Sequence, residues 1–250
     1  MDAQSYLKRI VYRGSVRPSI DVLRRLHVRH LLSVPFENLD IHLGRPIILD
    51  QELFYNKIVR DRRGGYCYEL NGCFAWLLRE LGFRVSMLSA RVAGKNGGFS
   101  PDFDHMTLLV RLEEPWLVDV GFGDSFTEPK LLDSTRPQLD SGELYRIARK
   151  NRETVLSRWD EIGVWAPLYS FTLRPRKLED FKARNRYQQT SPKSHFTKRR
   201  LISKLRPNGR VTLTDRKIIL TNGEQRSESP VRNSKQFDGL LTKYFHLSFE

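Results

Sequence analysis

The spacing of apolar residues changes period near residue 83. Before that point it is helical. Tyr6, Leu7 and Ile10 begin a short segment. Ser19 stands where it can cap a helix carrying Leu23, Leu26, His27, His30 and Leu31, which Val34-Pro35 ends. Asp50 stands likewise before Leu53, Phe54, Lys57 and Ile58. A further helix opens at Cys67, runs through Leu70, Phe74, Leu77, Leu78 and Leu81, and stops at Gly82. Residues 1–82 therefore read as a helical unit.

From Arg84 the pattern is that of strands. Val85, Met87, Ala90 and Val92 form one. Gly94 to Asp104 reads as a loop, His105–Leu112 as a strand, Glu113-Glu114-Pro115 as a turn and Trp116–Val120 as the returning strand. Gly121-Phe122-Gly123-Asp124 is a tight loop. Further strands are expected at Leu144–Arg149, Thr154–Trp159 and Val164–Leu173, a meander that suggests a small barrel or a sandwich. Leu178 to Gln189 reads as a short helix, broken at Thr190-Ser191-Pro192, which divides the chain into units 1–82, 83–189 and 190–250. Asn208-Gly209 and Asn222-Gly223 signal hairpins in the last unit. Phe237, Leu240, Leu241, Tyr244 and Phe245 then trace an amphipathic helix, with Ser234 as its cap.

Composition narrows the class. With 39% hydrophobic residues the chain is globular and not disordered. No run reaches the length of a membrane span, and the start, Met1-Asp2-Ala3-Gln4, lacks the pattern of a signal peptide. Cys67 and Cys73 are the only cysteines. On one helix they would be rotated by about 240° and separated by about 9 Å in rise, too far to bond. A reducing cytoplasm is the compartment this fits. The formal charge is +14, and residues 174–217 hold 15 basic residues against three acids, a net of +12. Such a band attracts nucleic acid, an anionic membrane or a phosphate-bearing cofactor, or simply keeps a face solvated.

The candidate chemistry centres on Arg62-Arg63-Gly64-Gly65-Tyr66-Cys67-Tyr68-Glu69-Leu70-Asn71-Gly72. Cys67 lies in the first turn of its helix, where unpaired N–H groups and the helix dipole favour a thiolate. By itself it could equally be a small buried apolar residue. A thiol nucleophile needs a base and a group to orient that base. His105 and Asp119 flank one expected hairpin. A two-residue loop at Glu113-Glu114 would put them on opposite faces, whereas an odd loop or a bulge puts them on the same face. In the register that sets Thr107 opposite Asp119, His105 lies one diagonal away, within reach of a hydrogen bond. Asp119 sits among Trp116, Leu117, Val118 and Val120, where a carboxylate needs a partner. His27 and His30 have a spacing that could ligate a metal, but no cysteine or carboxylate cluster joins them. They read as helix-surface histidines, and no metal is expected.

These segments resemble the arylamine N-acetyltransferases. The likeness rests on Arg63–Asn71, on Val34-Pro35-Phe36-Glu37-Asn38-Leu39, on His105, and on Asp119-Val120-Gly121-Phe122-Gly123, in that family's order and spacing. It is specific from about Ile20 to Leu132 and weaker through Tyr187–Phe196. The length is that of the compact bacterial members. The resemblance implies an α+β fold: an N-terminal helical bundle, a central β-barrel and a C-terminal α/β lid around a Cys-His-Asp core of the cysteine-protease kind. It implies a triad of Cys67, His105 and Asp119, and transfer of acetyl from acetyl-coenzyme A to arylamines or arylhydrazines through an acetyl-cysteine. It implies a Glu37–Arg63 ion pair and contacts to coenzyme A from Gly123, Tyr187, Thr190 and Ser191. Phe122, beside Asp119 on a glycine-flanked loop, and Val92, at a strand end, are read as walls of the amine pocket or, alternatively, as core residues.

Three other functions share parts of this pattern. An amide synthase of the same fold would close a macrolactam from a carrier-bound acyl chain, with the same triad. A thiol hydrolase would use water in place of the amine. A nucleic-acid binder would use the basic band, which no reading motif accompanies.

Overall fold

The computed structural model describes the chain apart from Lys95, Asn151 and Glu250, and apart from the side chain of Lys150. Lys95 belongs to the loop expected at 94–104, so that part of the expectation lies outside the described residues. Five helices precede the first long strand: α1 (Ala3–Arg9), α2 (Ile20–Ser33), α3 (Leu39–His42), α4 (Gln51–Tyr55) and α5 (Cys67–Glu80). The short strand β1 (Phe36–Glu37) interrupts them. Ser19 and Asp50 cap α2 and α4 as their chemistry predicts. The apolar run after Asp50 does not continue as one α-helix. It widens into a π turn at Asn56–Arg60, which carries Lys57. In α5, Leu70, Phe74, Leu77 and Leu78 are fully buried. Each such burial is worth roughly 1.5–3 kcal/mol, so packing holds this helix more firmly than propensity does.

Among the described residues eight strands follow these helices: β2 (Arg84–Val92), β3 (His105–Arg111), β4 (Pro115–Val118), β5 (Lys130–Leu131), β6 (Gln138–Asp140), β7 (Glu143–Lys150), β8 (Glu153–Trp159) and β9 (Trp165–Phe171). They form one antiparallel sheet in the order β5-β4-β3-β2-β9-β8-β7-β6. Its two ends meet through side chains. Gln138 accepts the Leu131 N–H at 2.8 Å and donates to the Leu131 carbonyl at 3.0 Å, and Lys130 pairs with Asp140. The sheet is thus a nearly closed barrel, as the meander suggested. Alternation along β3 divides it between two cores. Met106, Leu108 and Val110 pack against the helices, while Leu109 turns into the barrel with Leu88, Ala90 and Phe171.

The helices α6 (Lys182–Thr190) and α7 (His195–Lys198) lead into a second sheet of β10 (Leu201–Arg206), β11 (Gly209–Thr214), β12 (Lys217–Asn222) and β13 (Gln225–Pro230), with β1 on its edge. The helix α8 (Ser234–Phe245) covers it through Phe237, Leu241 and Phe245. Its cap is Asn233, whose side chain accepts the Gln236 N–H, and not Ser234. Among the described residues no helix is long and apolar enough to cross a membrane.

Candidate active site

The register of β3 and β4 decides whether a catalytic group can form. Arg111 pairs with Pro115 and Leu108 with Val118, so the connecting loop is Leu112-Glu113-Glu114, an odd number of residues. That puts His105 and Asp119 on one face. His105 Nε2 donates to Asp119 Oδ2 at 2.6 Å. Nδ1 is then the ring nitrogen free to serve Cys67, which lines the same cavity.

Both members of the pair are nearly water-free, at 3% and 2% exposure, so little screening weakens their attraction. Burial alone would lower the His105 pKa. Asp119, helped by Cys67, overrides it and pushes the imidazole up to about 10. Burial likewise would raise the Asp119 carboxyl, but His105, Asn71 and the Gly121 N–H hold it below the usual carboxylate range. The favoured state is an imidazolium–carboxylate pair beside the Cys67 sulfur. Cys73 is the contrast. Burial pushes its thiol up, and its neighbour is Tyr6.

Two residues that sequence reasoning did not assign complete the arrangement. Asn71 lies one turn beyond Cys67 on α5. Its amide donates to Asp119 Oδ1 at 2.9 Å and to the Met106 carbonyl at 2.7 Å, and its oxygen accepts the Val120 N–H at 2.9 Å. The signal was a polar residue four positions after the cysteine in an apolar helix. His27 is the second. The expectation of helix-surface histidines is wrong: His27 and His30 are both fully buried. They occupy the same apolar stripe as Leu23 and Leu26. His27 Nδ1 donates to the Thr127 carbonyl at 2.6 Å, and Nε2 accepts the backbone N–H of Asp119 at 3.2 Å. A carbonyl can only accept, which fixes the neutral tautomer. Burial pushes this imidazole down to about 4, against the pull of Thr127.

The turn before Cys67 is anchored by buried charge. Arg63 Nη2 lies 2.8 Å from Glu37 Oε1, the pair implied by the family resemblance. The cluster is larger than that pair. Arg63 also binds Asp40, and Lys57 Nζ reaches Glu69 at 2.7 Å and Asp40 at 2.8 Å. Glu69 Oε2 in turn accepts the Tyr66 N–H at the start of α5. Gly64 allows this turn to dock, since a Cβ there would lie 2.0 Å from the Pro35 carbonyl oxygen.

The cavity is about 200 Å³ and is lined by Phe36, Cys67, Val92, Asp104, His105, Gly121, Phe122, Gln188, His195 and Phe196. Phe122 and Val92 therefore stand where a pocket wall was expected, and Phe122 meets His105 edge-on at 5.2 Å. Gly123, Tyr187, Thr190 and Ser191, the expected contacts to coenzyme A, do not line it. The last three end α6, where Thr190 is exposed, and Gly123 follows the cavity wall with φ +92°. A larger groove of about 700 Å³ runs beside Arg206, Asn208 and Arg226 and contains none of the triad. Among the described residues no group of His, Cys, Asp and Glu is arranged to hold a metal.

A family model described as N-acetyltransferase matches residues 19–250. The chain is 39% identical over 213 residues to an arylamine N-acetyltransferase of Escherichia coli (strain K12), covering 84% of this chain and 75% of that one. It is 37% identical over 227 residues to the enzyme of Mycolicibacterium smegmatis, covering 88% and 82%. The structure of arylamine N-acetyltransferase from Salmonella typhimurium matches with a TM-score of 0.93 at 31% identity, over 99% of this chain and 94% of that one. The Mycobacterium marinum arylamine N-acetyltransferase in complex with CoA matches with a TM-score of 0.90 at 32% identity, over 98% and 92%. The chain belongs to the arylamine N-acetyltransferase family and is an acyltransferase.

Proposed function

We propose that this enzyme moves an acetyl group from acetyl-coenzyme A to the amine of arylamines and arylhydrazines by a ping-pong mechanism. The observation that carries this reading is the 2.6 Å bond from Asp119 to His105, which lines one cavity with Cys67. The Cys67 thiolate attacks the thioester carbonyl carbon. The Cys67 N–H, in the first turn of α5 where no intrahelical partner exists, stabilises the oxyanion. Coenzyme A leaves with the proton of His105, and acetyl-Cys67 remains. An uncharged amine then attacks, His105 takes one of its protons, and the thiolate returns.

The small apolar cavity supports an aromatic amine. A cavity of about 150 Å³ can hold benzene, so about 200 Å³ suits one ring and its amine. A polyketide chain needs more room, which weighs against the amide synthase. The phosphates of coenzyme A give the +12 band a partner, and the complex of the M. marinum relative with CoA supports that donor. We assign the phosphate-proximal contacts to Gly123, Tyr187, Thr190 and Ser191, outside the cavity. Initial rates test the scheme. Varying acetyl-coenzyme A at several fixed concentrations of an arylamine should give parallel double-reciprocal lines. Intersecting lines would mean that both substrates bind before any transfer.

A further inference from the structure

Phe103 has a φ of +65°, in the left-handed region that a bulky residue seldom enters. Several contacts hold it there. Ser89 Oγ accepts its N–H at 2.7 Å, and the Tyr68 hydroxyl donates to its carbonyl at 2.7 Å. Its ring meets Phe181 edge-on at 5.2 Å, and the Arg176 guanidinium lies 5.0 Å from its centroid. Backbone strain of this kind costs about 1–3 kcal/mol and persists where the surroundings enforce it, often beside a site of chemistry. The residue it presents is Asp104, which lines the cavity with Cys67 and His105. The Tyr68 hydroxyl also reaches the Asp104 carbonyl, at 3.3 Å, so the residue after Cys67 fixes the residue before His105.

The two carboxylate oxygens of Asp104 differ. Oδ1 accepts from Arg184 Nε at 2.6 Å and from Gln188 Nε2 at 2.5 Å, which ties it to α6. Arg184 stacks on Tyr187 at 4.1 Å and is not part of the cavity wall. Oδ2 accepts no hydrogen bond among the described residues. The same cavity is lined by three phenylalanines, Phe36, Phe122 and Phe196.

We propose that Asp104 is a further catalytic residue, and that its Oδ2 accepts the N–H that the attacking arylamine retains. This rests on the acetyl-cysteine reading above. A primary amine brings two N–H groups. Its lone pair forms the new C–N bond, and the C–S bond breaks with its electron pair on the Cys67 sulfur. One proton passes to His105 and the other stays in the amide. The nitrogen becomes more positive as it attacks, so its bond to a carboxylate strengthens in the transition state. Coenzyme A offers no N–H at the reacting carbonyl, and the first half-reaction does not use Asp104.

The test is Asp104→Asn. Arg184 and Gln188 both donate, so they retain the carboxamide oxygen and leave its NH2 in the place of Oδ2. The tie to α6 survives while the acceptor becomes a donor. Enzyme is first mixed with acetyl-coenzyme A, and acetylation is followed by intact mass. Aniline or N-methylaniline is then added, and loss of the adduct is timed. We expect acetylation within about twofold of the unaltered enzyme and aniline transfer slower by roughly tenfold or more. N-methylaniline gives its single N–H to His105, so its rate should not change. Equal slowing with both amines, no slowing with either, or failure of the variant to acetylate would each overturn the proposal. Absence of an adduct on the unaltered enzyme would instead refute the ping-pong reading, and the proposal with it.

Discussion

Asn71 Nδ2 lies 2.9 Å from Asp119 Oδ1, so the helix that carries the proposed nucleophile also clamps the carboxylate bonded to the proposed base. The same side chain satisfies the Met106 carbonyl and the Val120 N–H. Three groups, one on β3 and two in the segment that follows β4, are therefore referred to one position on α5. Asn71→Ala would leave buried polar groups unpaired at a cost of about 2–3 kcal/mol. Denaturant unfolding should show that loss, and kcat/KM should fall by roughly tenfold or more as Asp119 loses its orientation. A variant of unchanged stability and rate would show that the clamp is dispensable.

Gly121 packs directly against the backbone of Cys67, the proposed nucleophile. A Cβ at this position would lie 2.8 Å from the Cys67 Cα and 2.7 Å from Asn71 Nδ2. The first of these is backbone and cannot swing aside. Gly121→Ala should destabilise the protein by about 1–3 kcal/mol, as overpacking does, and lower kcat more than it raises KM. Equal loss from KM alone would place the damage in substrate binding.

Two buried imidazoles set opposite limbs of the pH–stability curve. His105 is raised from 6.5 to about 10, so its contribution is full below about 6.5 and is lost as pH rises through about 10. His27 is lowered from 6.5 to about 4, so its contribution is full above about 6.5 and is lost as pH falls through about 4. Gln can accept the Asp119 N–H and donate to Thr127 without titrating. His27→Gln should therefore lose about 2 kcal/mol less stability than the unaltered protein between about pH 7 and pH 4.5. Identical acid limbs would show that His27 is not buried in its neutral form.

Lys57 holds three carboxylates together. It lies within 4 Å of Glu37, Asp40 and Glu69, with Arg63 as the other cation of the cluster. Lys57→Met leaves those acids under-compensated and should cost about 3–5 kcal/mol, read as a fall in the unfolding midpoint. A neutral result would mean that one of the acids is protonated in the fold.

The sequence carried those features that depend on local period. The α5 stripe, the Ser19 and Asp50 caps and the β3–β4 alternation were all legible, and alternation reduced the triad question to the parity of one loop. Features set by distant chain were not. Nothing near Phe36 shows that it pairs with Ser203 on β10, or near Lys57 that the helix must widen there to bring its amine to Glu69. The polarity of histidine suggests a surface position for His27, but the side chain is fully buried. Its place in the Leu23–Leu26 stripe was the better guide to its burial. Asn71 lies within the Arg63–Asn71 motif, yet its role needs Asp119 beside it, and that contact spans 48 residues.

In the proposed mechanism Cys67 carries the acetyl group between the two substrates. The most direct measurement is the mass of the Cys67 peptide after brief mixing with acetyl-coenzyme A and no amine. One acetyl group is expected on Cys67 and none on Cys73, and it should leave when an arylamine is added. An enzyme that turns over normally but never shows that adduct would contradict the proposed mechanism.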